Sequence, residues 1–163
     1  GDGIINDFDR YHYKNPIPAV FMGFNSRLSY KKFDLSFNAR MNVNNYVYNN
    51  VHSNLGHFAN VSTINGFINN TVSAISETNF AQPRYFSDFY VRNATFFRMD
   101  NMTIGYNLDK ILSDKLSLYV SGTIQNAFFI TKYNGLDPEV DGGIDGNIYP
   151  RPRTFLLNLS VNF

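Results

Sequence analysis

The sequence lacks cysteine and tryptophan altogether among its 163 residues. Without cysteine, disulfide bonds, thiol catalysis and zinc–thiolate sites are excluded. A net charge of +1 gives neither the basic surface that binds nucleic acid nor an acidic tail. The mean hydropathy is −0.26, and no apolar run approaches the roughly 18 residues of a membrane helix. These values are typical of a soluble protein, yet membrane β-barrels share them because their strands are apolar only at alternate positions.

Aromatic residues, by contrast, are abundant, and the last stretch of the sequence has a regular alternation of apolar and polar residues. The chain has 16 Phe and 11 Tyr, a content that suits the aromatic girdles of a membrane barrel. Residues 153–163 alternate with the period of a strand, which turns successive side chains to opposite faces. One face is apolar and comprises Phe155, Leu157, Leu159, Val161 and Phe163. A strand that ends in Phe is typical of the closing strand and assembly signal of an outer-membrane barrel, although an edge strand of a soluble sandwich alternates in the same way.

Four earlier stretches show similar alternation and predict strands over residues 18–30, 33–44, 94–108 and 116–128. The first two flank Lys31-Lys32, which predicts a tight hairpin turn. Arg27 and Arg40 fall on the polar faces, and we expect them to face a watery lumen because a charge in lipid costs about 2–4 kcal/mol. Asp100 falls on the apolar face of its strand, a conflict that a β-bulge or a position outside the membrane would remove.

The connections between these strands alternate in length. Residues 45–93 and 129–152 are long and polar, whereas residues 31–32 and 109–115 are short. Outer-membrane barrels combine short periplasmic turns with long extracellular loops. Five strands cannot close a barrel, because bacterial barrels use an even number of strands and at least eight. An open five-stranded sheet in lipid would leave the backbone N–H and C=O groups of its edges unpaired. We therefore expect an all-β fold: the last five antiparallel strands of a large transmembrane β-barrel with long extracellular loops, in a chain that is the C-terminal part of a longer protein.

Several polar residues are candidates for other chemistry. A calcium loop of the D-x-N-x-D-G type would place Asp2, Ile4, Asn6 and Asp9 at its positions 5, 7, 9 and 12, with the first two ligands before residue 1. A solvated D-G turn is the alternative. His52 and His57 lie five residues apart, and we expect two exposed polar histidines rather than a metal pair. Short helical pieces are possible between residues 61 and 75.

An acidic, glycine-rich loop raises the possibility of an enzyme. A carboxylate pair in it would suit glycoside hydrolysis, although acidic residues in such a loop are more often solvated or cation-bound. These residues are Asp137, Glu139, Asp141 and Asp145. No Gly-x-Ser-x-Gly motif is present. A soluble carbohydrate-binding sandwich is the remaining alternative, and it would fold alone in water as a monomer.

Four sequence runs resemble those of the SusC-like TonB-dependent outer-membrane transporters. The runs G-L-D-P-E at residues 135–139 and Y-P-R-P-R-T-F at residues 149–155 are similar to that family's closing region. The run F-F-R-M-D-N-M-T-I-G-Y-N-L at residues 96–108 resembles one of its strands, and G-D-G-I-I-N-D-F-D-R at residues 1–10 one of its loops. Residues 45–93 have no counterpart in these motifs.

The resemblance implies nutrient import, often of oligosaccharides and sometimes of peptides, through a barrel in the outer membrane of a Gram-negative cell. It implies no catalysis and no cofactor beyond a possible structural Ca²⁺. The implied partners are a SusD-like surface lipoprotein, the TonB–ExbB–ExbD complex acting through plug and N-terminal parts that this sequence lacks, the remainder of the barrel and outer-membrane lipid.

Substrate contacts are expected in two loops. One covers residues 45–93 and begins at Asn45, and the other covers residues 132–151. Tyr133 and Tyr149 are examples of candidate residues. Aromatic and asparagine-rich loops suit sugars, because rings stack on sugar faces and amides pair with hydroxyls.

Overall fold

A computed structural model describes residues 7–62, 66, 68–109 and 116–163 of the chain. Short 3-10 turns lie at Asp7–Asp9, Phe58–Asn60, Asp88–Tyr90 and Asp141–Gly143. The strands and helices, in chain order, are β1 (Val20–Tyr30), β2 (Phe33–Val43), β3 (Tyr46–Asn49), α1 (Asn50–Leu55), α2 (Ile75–Thr78), β4 (Val91–Asn93), β5 (Phe96–Asp109), β6 (Ser117–Thr131), β7 (Ile144–Asp145) and β8 (Thr154–Asn162).

The five long strands form one antiparallel sheet in the order β1-β2-β5-β6-β8. Its register sets apolar residues beside apolar residues, as where Leu35 of β2 faces Leu28 on one side and Ile104 on the other. One face is therefore apolar apart from Ser26, and much of it is open: Ile104 is 59% exposed and Leu157 82%. The five predicted strands are confirmed, with β6 ending three residues later than expected.

The first hairpin has the predicted two-residue turn. Tyr30 pairs with Phe33 across it, and Lys31 takes a left-handed backbone conformation with φ 53°. Arg27 and Arg40 lie on the polar face, opposite the apolar one, as their alternation requires. The other short connection lies mostly outside the described residues.

Asp100 sits in a β-bulge, which resolves its conflict with the apolar face. Asn101 pairs with Asn38 and Met99 with Ala39, so that β2 has no partner for Asp100. The register of β5 with β6 shifts at the same place. The extra residue lets the Asp100 carboxylate reach the polar face, where its Oδ2 lies 3.0 Å from Arg40 Nε.

The long loops are more ordered than the sequence indicated. Segments from both loops form a second sheet in the order β4-β3-β7, in which β3 runs parallel to β7. Its core is Val47, Ala94 and Tyr133, packed against Val140. These strands have four, three and two residues, too short for alternation to reveal them.

Among the described residues of the stretch 61–75, only Ile75 is helical, as the first residue of α2. Ser62 forms an isolated antiparallel bridge with Ile68, and α2 only begins at Ile75. Helix α1 lies earlier, where the Asn49 side chain accepts a hydrogen bond from the His52 amide and caps the first turn. Among the described residues, no helix combines the length and apolar character needed to cross a membrane.

Candidate functional site

The polar face of the large sheet carries a group of charged residues that we call the arginine–carboxylate cluster. The cluster joins β2, β5 and the loop between β6 and β8. Its members are Arg40, Arg98, Asp100, Asp137, Glu139 and Arg151.

Arg98 is the buried centre of this cluster. Its side chain is 1% exposed, and it donates hydrogen bonds to the Asp137 carboxylate and, at 2.8 Å, to Asn126 Oδ1. The guanidinium also lies against the rings of Phe96 and Phe129, with centroids 5.5 and 5.1 Å away. A buried cation needs such partners because its desolvation is otherwise uncompensated.

Two arginines face each other across neighbouring strands, and the loop supplies the negative charge between them. Arg40 of β2 pairs in register with Arg98 of β5, an arrangement that is repulsive between like charges. The Glu139 carboxylate accepts hydrogen bonds from both Nη atoms of Arg40, and its Oε2 lies 3.6 Å from Arg98 Nε. Carboxylates from residues 132–151, together with Asp100 of β5, thus offset the repulsion between the two arginines.

Arg151 closes the cluster from the end of the same loop. Its Nε lies 3.2 Å from Asp137 Oδ2, and its Nη1 donates to Glu139 Oε2 at 2.8 Å. The G-L-D-P-E and Y-P-R-P-R-T-F runs therefore meet in space through Asp137, Glu139 and Arg151. Together they hold the loop against the polar face of the sheet.

The acidic loop has a structural role in this geometry. Asp137 and Glu139 bind guanidinium groups. Asp145, 1% exposed, accepts hydrogen bonds from Tyr133 Oη at 2.6 Å and from the Asn147 amide at 3.0 Å. These contacts account for the positions of Asp137, Glu139 and Asp145, whereas Asp141 is exposed.

Tyr133 and Tyr149, the two tyrosines expected to contact substrate, have opposite environments. Tyr133 is 6% exposed in the core of the small sheet, and its burial, followed by its hydrogen bond to Asp145, raises its pKa. Its ring is buried in this structure, and substrate binding by residues 132–151 stays a prediction. Tyr149 is 82% exposed and borders a cavity of about 250 Å³ together with Asp141 and Arg151.

Asn45, the first residue of the other loop expected to contact substrate, is also buried. It is 5% exposed, and its carbonyl accepts a hydrogen bond from the Ala94 amide at 2.8 Å. This bond joins the residue before β3 to the residue after β4 and so extends the pairing of these two strands. Pairing of the small sheet buries Asn45 itself, and the expectation of substrate contacts from residues 45–93 stays a prediction.

A larger cavity, of about 1000 Å³, lies between residues 9–13 and residues 80–91. We call it the aromatic cavity, because its lining includes the rings of Tyr11, Tyr13, Phe80, Tyr85 and Phe86. Tyr11 Oη donates to Asp88 Oδ2 at 2.6 Å, and this hydrogen bond is the main reason that the pKa of Tyr11 is raised. Sequence reasoning missed the cavity because its two walls are some 70 residues apart.

The remaining candidates have different outcomes. Asp2, Ile4 and Asn6 of the calcium loop lie outside the described residues, and Asp9 ends a 3-10 turn, so the Ca²⁺ site stays a prediction. No group of three or more His, Asp or Glu placed to hold a metal occurs in the described part of the chain. His57 is 7% exposed, which corrects the expectation that it is exposed.

His52 is half-buried, and burial, followed by the nearby Arg92 charge, lowers its pKa. The residues of the expected assembly signal lie on β8 and, for Phe163, directly after it, and they are exposed, with Phe155 at 70% and Phe163 at 101%. Their role as an assembly signal stays a prediction.

The chain is similar over its whole length to curated TonB-dependent receptors. It is 46% identical to the TonB-dependent receptor SusC of Bacteroides thetaiotaomicron, with 100% of the chain and 17% of SusC aligned. It is 31% identical to the TonB-dependent receptor P3 of Formosa agariphila, with 100% of the chain and 18% of that protein aligned. The chain thus spans less than a fifth of the length of these relatives. No protein-family model matches the sequence.

Solved structures share the fold. The RagAB peptide transporter superposes with a TM-score of 0.71 at 23% identity, over 92% of this chain and 18% of that chain. The RagAB peptide importer in its closed-closed state gives a TM-score of 0.71 at 20% identity, over 99% of this chain and 20% of that one. Sequence identity along the whole chain, with a fold that agrees, assigns it to the SusC-like TonB-dependent receptors as one segment of such a receptor.

Proposed function

We propose that the chain forms the closing strands of a TonB-dependent barrel that imports nutrients across the outer membrane of a Gram-negative cell. The observation that carries this proposal is the continuous apolar face of the five-stranded sheet. Side chains such as Phe24 at 45% exposure and Leu159 at 63% are open along its length. In water so large an apolar surface would drive aggregation, whereas lipid would cover it.

The two faces and the two ends of the sheet then have different roles. The polar face, with Arg27, Arg40 and Arg98, lines the lumen, where charges stay hydrated or paired. The small sheet, both helices and the arginine–carboxylate cluster gather at the end of the large sheet where β2 and β6 finish. We assign this end to the cell exterior, opposite the Lys31-Lys32 turn.

The proposed substrates are oligosaccharides, as the family resemblance implied. Exposed rings beside hydroxyl, guanidinium and carboxylate groups in the loops support this choice, because rings stack on apolar sugar faces and polar groups pair with hydroxyls. Import of peptides is the second candidate, and it is favoured by the likeness to structures of the RagAB peptide transporter.

The proposed partners follow from the same role. A SusD-like surface lipoprotein would meet the loops at residues 45–93 and 132–151. TonB–ExbB–ExbD would act through parts of the protein outside this chain. The open edges of β1 and β8 would pair with the remainder of the barrel, because unpaired backbone groups are costly in lipid.

Uptake by whole cells tests the proposal. Cells that lack the gene for the full-length protein are compared with complemented cells for uptake of labelled hexasaccharides and of labelled hexapeptides. Both kinds of cell are measured with and without TonB. We expect TonB-dependent uptake of saccharide only in the complemented cells. Uptake of peptide alone would establish the second candidate. Uptake of neither, together with a chain that stays monomeric in water, would favour the soluble carbohydrate-binding sandwich.

A further inference from the structure

We propose that the aromatic cavity is a carbohydrate subsite in which the ring of Phe86 stacks on a sugar ring. The inference rests on the proposed import of oligosaccharides and names the residues that would contact them. The volume of about 1000 Å³ lies at the upper end of the usual range for small-molecule sites. It leaves room for more than one sugar unit.

Phe86 combines a strained backbone conformation with a ring that is exposed to solvent. Its ring is 91% exposed, yet its backbone has φ 58°, in the left-handed region that side chains other than glycine rarely adopt. Burial of the ring therefore does not offset the strain. Strained backbone persists where surrounding contacts impose it, and such positions concentrate at binding sites.

The contacts that impose the conformation come from the buried part of the small sheet. The Phe86 amide donates to Tyr48 Oη at 3.0 Å, and Tyr48 in turn donates to Ser53 Oγ at 2.6 Å. Ser53 is fully buried, and the Tyr48 ring packs edge-on against Tyr90, which is 3% exposed. This chain of contacts fixes the Phe86 backbone, and the Phe86 ring stacks on the Tyr48 ring at a centroid distance of 6.3 Å while most of its surface stays exposed. Little ordering is therefore needed when a ligand binds.

The rest of the lining suits a neutral ligand that is rich in hydroxyl groups. Two acids, Asp9 and Asp88, balance two bases, Arg10 and Arg84, so the formal charge of the lining is zero. Tyr85, 56% exposed, adds a second ring beside Phe86. Aromatic faces for the C–H surface of a sugar and charged groups for its hydroxyls therefore occur side by side.

Two substitutions at Phe86 distinguish the effect of the ring on binding from the effect of the backbone strain on stability. Phe86→Ala removes the ring and keeps the strain, whereas Phe86→Gly removes both. We expect both variants of the full-length protein, purified in detergent, to bind hexasaccharides of glucose or mannose about tenfold more weakly, the loss that removal of one aromatic contact produces. Phe86→Gly should also be at least as resistant to guanidinium as the unaltered protein, because glycine accepts a positive φ.

Phe58→Ala is the matched control, since Phe58 is 48% exposed and lies outside the cavity lining. Its affinity should stay within twofold of the unaltered protein. Calorimetric titration with the hexasaccharides gives the dissociation constants. Unchanged affinity in both Phe86 variants would overturn the inference and leave the proposed function intact. A protein that binds hexapeptides and no hexasaccharide would overturn the proposed substrate class and, with it, the carbohydrate subsite.

Tyr149→Ala distinguishes the two exposed candidate sites. If saccharide binding weakens in Tyr149→Ala and not in the Phe86 variants, the subsite lies beside the arginine–carboxylate cluster and the inference is wrong. If it weakens in the Phe86 variants and not in Tyr149→Ala, the aromatic cavity is the subsite.

Discussion

Replacing Arg98 with methionine should release the loop at residues 132–151 from the sheet. Methionine keeps much of the side-chain volume and removes the charge, which leaves Asp137, 3% exposed, without its main partner. Removal of one member of a buried ion pair costs about 3–5 kcal/mol. Asp137 keeps Arg151 Nε at 3.2 Å and the Glu139 amide at 2.9 Å. We therefore expect the lower end of this range.

A cost of about 3 kcal/mol raises the population of the released loop roughly a hundredfold, at about 1.4 kcal/mol for each factor of ten. Trypsin can measure this population, because cleavage requires local opening and tracks the open fraction when opening is fast. Lys132 is the one trypsin site between residues 132 and 150, and Pro152 protects Arg151 from cleavage. The rate of cleavage after Lys132 in the full-length protein in detergent should rise about a hundredfold, a gain that mass spectrometry of the products can follow.

Arg27→Met is the matched control. Arg27 also lies on the polar face, but its side chain is 72% exposed and its Nη2 is 3.9 Å from Asp34. A pair this exposed contributes at most about 1 kcal/mol, so cleavage should change only a few-fold. A rate in Arg98→Met that matches the Arg27→Met control would refute the reasoning.

A second substitution checks the cause. Arg98→Met combined with Asp137→Asn removes the uncompensated buried charge as well as its former partner. We expect the double variant to be cleaved more slowly than Arg98→Met alone, because replacing both members of a buried pair costs less than removing one. Faster cleavage of the double variant would indicate that the pairing of Asp137 with Arg151, and not an uncompensated buried charge, decides how firmly the loop is held.

Three further outcomes are expected. Gly135→Ala would press a methyl group against the Tyr133 ring, and such overpacking costs about 1–3 kcal/mol. Cleavage after Lys132 should therefore accelerate. Gly146→Ala, whose new methyl group would meet open space, should leave the cleavage rate unchanged. Phe163→Ala should lower the amount of full-length protein that reaches the outer membrane, and unchanged levels in membrane fractions would exclude Phe163 from assembly. Since burial lowers the pKa of His52, its unfolded form binds protons more readily below pH 6.5. Resistance to guanidinium should therefore fall as pH drops from 7.5 to 5, and His52→Gln should flatten that dependence.

Local sequence patterns determined the large sheet. Strict alternation gave all five long strands, because one face of each must be apolar and a slip of one residue would invert every side chain. The two-residue turn at Lys31-Lys32 and the polar-face positions of Arg27 and Arg40 follow from the same period. Asp100 broke the period, which left a β-bulge or a position outside the membrane as explanations, and the register of β2 with β5 shows the bulge.

The roles of the polar residues depend on tertiary contacts. The small sheet joins β3 to β7 across some 95 residues of chain, through strands too short to carry a period. The small sheet buries Asn45 and Tyr133, although both lie in polar stretches of sequence that predict solvated loops. It also brings the acidic loop to Arg40 and Arg98, charges whose pairing depends on distances in space and not along the chain. Alternation is a local consequence of backbone geometry, whereas the pairing of charges and the assembly of a cavity are fixed by contacts that no local pattern encodes.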